Sequence, residues 1–417
     1  MSLDAEAHLG SFASLRMTRR FCGNLLPPLP VRNHIQRVRV DFEYAVHFTR
    51  DAFDPNNACL PEAITRLEGA RRHRVLFVLD GGLVAARPSL PGEVTAYADA
   101  HAGAIALARD PVVVPGGEVV KNEDGHARAL LGQIDALSLD RQSFVVIAGG
   151  GAVLDMAGYA AAIAHRGIRV IRLPTTVLAQ ADSGVGVKNG INAFEKKNFV
   201  GTFVPPFAVI IDSAFLDTLS ARDRIAGMAE AVKVALVRDA AFFAWIAERA
   251  TKLFGGDMDL ASELVERSAR LHMTHIATSG DPFELGSARP LDFGHWAAHK
   301  LESLTRNRLR HGEAVAIGMA IDTLYSAAVG MCDAKVADRV LDTLEKLGFR
   351  LWDAALEDAE GGVLPVLRGL EEFREHLGGD LTVTMLRGIG TGEEIHTLDE
   401  RVVKECIYAL RERSKKA

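Results

Sequence analysis

Phe144-Val-Val-Ile-Ala-Gly-Gly-Gly-Ala-Val-Leu-Asp155 is a short apolar run that ends in three glycines and restarts as a helix-forming segment. An apolar run of this length suits a strand covered on both faces. The glycines allow a tight turn and leave bare amides at a helix N-terminus, where the peptide dipoles favour a phosphate. The segment predicts a dinucleotide pyrophosphate turn, although a tight strand-to-helix connection needs the same glycines.

Further apolar runs at residues 75–79, 112–114, 170–173 and 208–211 alternate with helix-compatible stretches such as 126–137 and 152–165. Such alternation predicts a parallel α/β sheet. Residues 38–48 alternate apolar and polar side chains, the period of a half-buried strand, so the folded part is expected to begin near residue 35. After Asp212 the texture changes to helix-permissive blocks at 221–254, 258–278, 311–329 and 334–347. The predicted organisation is a lead-in over 1–35, an α/β dinucleotide-binding domain over 36–206, and a mainly α-helical metal- and substrate-binding domain over 207–417. Pro205-Pro206 marks the seam, because proline disfavours a continuous helix there.

The 417 residues are 48% hydrophobic and carry a net charge of −6, which supplies no basic field for nucleic acid. Cys22, Cys59, Cys332 and Cys406 are scattered without a Cys-x-x-Cys pair. That argues against a disulfide framework or a thiolate zinc site and predicts a cytoplasmic protein. The most apolar stretch, 144–164, is broken by glycines and Asp155, so no membrane span is expected.

Candidate site residues fall into three groups. Asp80 ends one predicted strand, Pro115-Gly-Gly-Glu118-Val-Val-Lys121 follows another, and Leu173-Pro-Thr175-Thr176 follows a third. All three would converge at the sheet's carboxyl edge, where open α/β sheets bind ligands. A polar and cationic group, Arg166, Asp182, Lys188, Asn192, Lys197, Asn198 and Lys233, lies mostly in glycine-rich chain that can focus positive charge on a phosphate. Glu230 in Gly227-Met-Ala-Glu-Ala-Val-Lys233, His295 in Asp292-Phe-Gly-His-Trp-Ala-Ala-His299, and His311 in Arg310-His-Gly-Glu313 offer one carboxylate and two imidazoles. That is a ligand set for a divalent ion with positions open to substrate. His295 follows Gly294 and His311 precedes Gly312, so another group can approach each closely. His299 lies one helical turn beyond His295 and shares its face.

In this order the motifs from Val75 to Leu324 resemble the sugar phosphate cyclase superfamily, whose best-known member is 3-dehydroquinate synthase. The resemblance implies Glu230, His295 and His311 as ligands of zinc or cobalt, and NAD as a tightly held catalyst. Asp80, Glu118, Lys121, Gly150, Gly151, Asp155, Thr175 and Thr176 fall on NAD-binding positions, joined by Lys188 and Lys197. Asp182, Lys188, Lys233 and His299 take catalytic positions, while Arg166, Lys197, Asn198, Arg289, Asp292 and His275 take substrate positions. Arg166 resembles an arginine that reaches a neighbouring subunit, which implies a homodimer. The implied reaction is a phosphate-eliminating carbon–oxygen lyase on a heptulosonate or heptulose 7-phosphate, giving a carbocycle with no net redox change.

Several positions depart from the 3-dehydroquinate synthase pattern. Asp292 replaces an asparagine, His272 or His275 stands where a carboxylate-binding lysine is expected, and Arg289 is displaced by about one position. Val187 and Asn189 replace glycine and threonine around Lys188, Trp296 replaces a small residue, and only Arg374 and His376 answer to a lysine-rich segment near the C-terminus. Three alternatives accompany the main reading: a sedoheptulose 7-phosphate cyclase, a metal-dependent polyol or glycerol-phosphate dehydrogenase, and a non-catalytic homologue. The retained lysines favour a cyclase over a dehydrogenase.

Overall fold

The computed structural model describes residues 33–38, 40–69, 71–194, 196–278, 291–357, 364–376 and 381–416. Two compact units are present, Met1–Asp41 and Phe42–Ala417. In the first, the described residues are exposed and outside regular structure; most of the expected lead-in over 1–35 lies outside the described residues.

The second unit carries strands β1 (Ala45–Thr49), β2 (His73–Asp80), β3 (Ile105–Leu107), β4 (Val112–Val114), β5 (Phe144–Gly149), β6 (Arg169–Pro174), β7 (Lys188–Ala193), β8 (Lys196–Phe203), β9 (Ala208–Asp212), β10 (Val383–Gly388) and β11 (Thr391–Ile395). Helices α1 (Cys59–Thr65), α2 (Gly81–Ala86), α3 (Leu90–Ala100), α4 (Gly125–Ala136), α5 (Gly151–Ile163) and α6 (Val177–Ala181) accompany the sheet. Helices α7 (Ala221–Arg238), α8 (Ala240–Phe254), α9 (Met258–Thr278), α10 (His295–Leu304), α11 (His311–Ala328), α12 (Ala334–Lys346), α13 (Arg368–His376) and α14 (Glu400–Ser414) make up the second half.

Among the described residues, seven strands form one parallel sheet in the order β1-β9-β6-β5-β2-β3, with β4 also pairing β2. The expected α/β half followed by a mainly helical half is therefore what the chain builds. Strand β5 is buried at every residue, as its unbroken apolar run requires. Its alternate side chains enter two cores. Phe144, Val146 and Ala148 pack on one face, while Val145 and Ile147 meet α4 and α5 on the other. The helical half has its own core, centred on α7, α10 and α11. No helix among the described residues is long and apolar enough to cross a membrane.

Three local readings differ from the observed elements. The strand expected over 38–48 begins only at Ala45, and Val38, Val40 and Phe42 are exposed. β1 pairs in parallel with β9 from Ala45 opposite Ala208. Extending the ladder backwards would bring in Pro205 and Pro206, which have no N–H to donate. The block 221–254 is two helices, because the Asp239 side chain accepts from the Phe242 N–H and starts α8 afresh. Finally, the glycine-rich stretch after Asp182 runs into an antiparallel hairpin, β7–β8, and β10–β11 adds a second hairpin within the helical half. The seam expected at 206/207 falls just before β9, which lies inside the parallel sheet between β1 and β6.

Candidate active site

Helices α7, α10 and α11 bring the three expected metal ligands together. Glu230 lies on α7, while His295 and His311 are the first residues of α10 and α11. Close backbone approach sets their spacing. A side chain at Gly312 would place Cβ 1.7 Å from the Ala226 carbonyl oxygen of α7. Gly294, at φ +78°, would meet the Met319 amide of α11 at 2.6 Å. Only residues without a side chain allow these helices to touch so closely.

Glu230 Oε1 lies 3.6 Å from His295 Nε2 and 3.4 Å from His311 Nε2, and one ligand atom from each residue falls within a 4.8 Å circle. Two ligand atoms on a tetrahedral zinc ion, with bonds of about 2.0–2.1 Å, sit about 3.3 Å apart. The residues therefore fit a divalent ion. Both Glu230 oxygens are buried without a hydrogen bond of good geometry, although Lys233 Nζ lies against Oε2. A buried, underused carboxylate between two imidazoles is a site built for a cation.

The charges are strongly coupled. Burial opposes ionisation of Glu230, but Lys233 and the two histidines hold it well below the usual carboxylate range. Burial likewise opposes the Lys233 charge and is outweighed by Glu230, Asp182 and Asp292, which raise it. Burial, then the Lys233 charge, pushes His295 well down. For His311, burial is overcome by Glu230 and Glu302, which raise it to about 10.

Glu302 stands in none of the sequence motifs above. Its Oε2 lies 3.3 Å from His311 Nδ1 and its Oε1 accepts from Lys197 Nζ at 3.1 Å. Burial opposes its charge, yet His311 and Lys197 bring it down to about 2. It sits seven residues after His295, two turns along the same helix face, a periodicity that could have identified it. Asp322 likewise stands in none of those motifs. Its buried carboxylate accepts from the Gly294 N–H and from Trp296 Nε1, each at 2.8 Å, and so anchors the start of α10 on both sides of His295.

The hairpin β7–β8 links this cluster to the sheet. Lys197 reaches Glu302, while the next residue, Asn198, turns the other way and accepts from Lys121 Nζ. Lys121 also pairs with Asp155 of α5 at 2.7 Å, and Asn192 joins Glu118 at 3.1 Å. Asp80 ends β2, Gly150 and Gly151 follow β5, and Thr175 and Thr176 follow β6, so these cofactor candidates share the carboxyl edge. Asp80 accepts from the Gly82 N–H at 2.7 Å and from the Gly150 N–H at 3.3 Å, and each oxygen keeps a lone pair. No side chain caps α5 at Gly150, which leaves first-turn amides for a phosphate. The residues fit a dinucleotide at this edge.

Asp182 ends α6 and forms a 2.9 Å ion pair with His272 Nδ1, which lies one turn before His275 on α9. Burial opposes the Asp182 charge, and His272 holds it below its ordinary value. Lys188 is exposed at the start of β7, and Asp292 contributes charge beside Lys233. His299 is exposed on α10, its ring centroid 5.4 Å from that of His295 and 6.2 Å from that of His311. Arg166 lies on an exposed turn beyond the C-terminal end of α5, away from the glycine turn. Arg289 lies outside the described residues.

Residues 111–226 match the N-terminal domain of 3-dehydroquinate synthase, and residues 227–362 match its C-terminal domain. The 3-dehydroquinate synthase of Ruegeria sp. (strain TM1040) is 38% identical over 286 residues, 67% of this chain and 75% of that protein. The structure of 2-epi-5-epi-valiolone synthase from Streptomyces hygroscopicus subsp. jinggangensis 5008, with NAD+ and Zn2+ bound, superposes with a TM-score of 0.79 at 26% identity. It covers 91% of this chain and 99% of its own. A 2-deoxy-scyllo-inosose synthase complexed with carbaglucose-6-phosphate, NAD+ and Co2+ shares the fold, with a TM-score of 0.72 at 22% identity over 87% of this chain and 96% of that one.

Proposed function

This chain belongs to the 3-dehydroquinate synthase family, and on that premise we propose that it is an NAD- and divalent-metal-dependent sugar phosphate cyclase. It would act as a carbon–oxygen lyase, converting a heptulosonate or heptulose 7-phosphate to a carbocycle with loss of phosphate. The observation that carries this reading is the Glu230, His295 and His311 triad beside Lys233, with Lys197 tied to it through Glu302.

When bound, NAD would supply a hydride acceptor for a ring hydroxyl and zinc or cobalt a Lewis acid. The chain's own residues do the rest. Lys188, Lys197 and Asn198 hold the phosphate as hydrogen-bond donors, with Arg166 entering from a second subunit of a homodimer. Asp182, Lys233 and His299 hold or pass protons near the reacting carbons. Asp292 and His275 would meet the sugar's head group, and the resemblance implies the same role for Arg289. The scattered cysteines, unpaired at Cys59, Cys332 and Cys406, suit a cytoplasmic enzyme.

A second reading, a sedoheptulose 7-phosphate cyclase with a neutral head group, is favoured by one observation. His272, one of the two residues standing where a carboxylate-binding lysine is expected, is already paired with Asp182 at 2.9 Å, so it is a poor clamp for a substrate carboxylate.

The test is phosphate release by zinc- or cobalt-loaded protein with NAD, offered the heptulosonate phosphate and sedoheptulose 7-phosphate separately, with products identified by mass. Phosphate release without net NADH is the expected result, and the substrate that turns over separates the two readings. Stoichiometric NADH formation from a polyol would establish a dehydrogenase instead, and failure to retain metal would indicate a non-catalytic homologue.

A further inference from the structure

Arg172 is a charge in the middle of an apolar strand. It lies on β6 between Ile171 and Leu173, which face one core, and points to the opposite face with Val170. The side chain is 1% exposed, and among the described residues it forms no ion pair. Burial lowers its pKa, with the charge of Asp155 opposing. A buried cation without a carboxylate partner is costly, so its hydrogen bonds must account for it.

All of those bonds go to one segment. Nη1 donates to the carbonyls of Gly186 at 2.7 Å and Gly184 at 3.3 Å. Nη2 donates to the Lys188 carbonyl at 2.9 Å and to Asn189 Oδ1 at 2.7 Å. The remaining carbonyls between Asp182 and Lys188 are also claimed. Val185 and Gly186 amides donate to Asp182 and Ser183, the Tyr44 hydroxyl donates to Val185, and the Val204 amide donates to Val187. The ends of this strap are Asp182 and Lys188, two candidate catalytic residues. Asn189 is itself locked, because its Nδ2 donates to the Val204 carbonyl at 3.2 Å and its Oδ1 would lie 2.0 Å from a Cβ placed at Gly158 of α5.

We propose that Arg172 is a positioning residue that fixes the Asp182–Lys188 strap for substrate phosphate binding, with Asn189 and Gly158 as its matched partners. The guanidinium acts as a planar fork that fixes the spacing of several carbonyls at once, which a lysine cannot do. It thereby ties the lysine of the substrate site to β6, the strand that leads into Thr175 and Thr176. The inference rests on the cyclase reading for what the strap binds, but not for the strap's geometry.

The experiment compares wild type with Arg172→Met, Arg172→Lys, Asn189→Ala and Gly158→Ala, all holoenzyme. Hydrogen exchange over residues 182–189 reports the strap, titration with inorganic phosphate reports the site, and metal and NAD content report the rest. The expected result is faster exchange confined to the strap, with phosphate Kd and sugar phosphate KM raised at least tenfold at unchanged metal content. Arg172→Lys should recover part of that loss, and Asn189→Ala combined with Arg172→Met should cost little more than Arg172→Met alone. Unchanged phosphate affinity despite a loosened strap would overturn the positioning role. So would a parallel loss of metal and phosphate in the milder Asn189→Ala variant as well as in Arg172→Met, which would mark general unfolding rather than a local effect. Wild type that binds neither phosphate nor sugar phosphate would instead overturn the cyclase reading, and with it the claim that the strap serves that site.

Discussion

Glu302 shows how much of a candidate metal centre lies one contact beyond its expected ligands. By holding His311 Nδ1 it leaves Nε2 facing Glu230, and by accepting from Lys197 it keeps its own charge compensated. Glu302→Gln should weaken divalent-ion affinity roughly 10–100-fold with little change in melting temperature; equal affinities in a competition titration against a chelating dye would remove it from the site. The raised His311 yields a second expectation. Without an ion, its charge is stabilised by Glu230 and Glu302 up to about pH 10, whereas a metal ligand must be neutral. Metal uptake near neutral pH should therefore release about one proton, and affinity should rise with pH across that range. Calorimetry in buffers of different ionisation enthalpy measures the release; binding heats that do not depend on the buffer would refute it.

Helix α10 is held to α11 through Asp322, and that junction carries its own pH dependence. Burial raises the Asp322 carboxyl to about 7 against the opposing hydrogen bonds from Trp296 and Gly294. A carboxyl whose pKa rises on folding adds stability in full below its unfolded value, near 4. That stability drains away as pH climbs through the folded value. Wild type should thus lose stability relative to Asp322→Asn between about pH 4 and pH 7, and denaturant midpoints for the two proteins should converge on a constant difference above that. A gap that stays constant throughout would mean the carboxyl is not perturbed. Some elements could be read from residue patterns and others could not. The β5 to α5 turn follows from an apolar run and glycines that form their structure locally. The β7–β8 hairpin looked like polar loop because its residues are ordered by distant partners such as Glu302 and Lys121. Likewise, β1 looked longer than it is because its length is set by the prolines preceding β9.

For the assembled molecule, the position of Arg166 bears on oligomeric state. It lies past the far end of α5, a helix of 13 residues and therefore about 20 Å long, whose other end is the glycine turn. An arginine so placed is set apart from this chain's own glycine turn, and on the proposed reading it would serve the substrate site of another copy of the chain. Mixing Arg166→Ala with Lys188→Ala, each inactive alone, should restore partial activity through mixed dimers that hold one intact site. Sedimentation as a monomer, or no recovery on mixing, would rule out the shared site.

The sequence by itself determined the parallel sheet, the glycine turn and the choice of Glu230, His295 and His311 as a candidate ligand set, because these depend on local periodicity and on residue chemistry. Tertiary structure alone decided how they work together. The 3.4 Å and 3.6 Å spacings of the triad arise where Gly312 and Gly294 let α7, α10 and α11 meet. The roles of Glu302, Asp322 and Arg172 arise from contacts between residues far apart in the chain, except for Glu302 and His311, which are joined by the turn from α10 into α11. Such contacts are set by packing and by the need to satisfy buried polar groups, and neither is visible along a linear pattern.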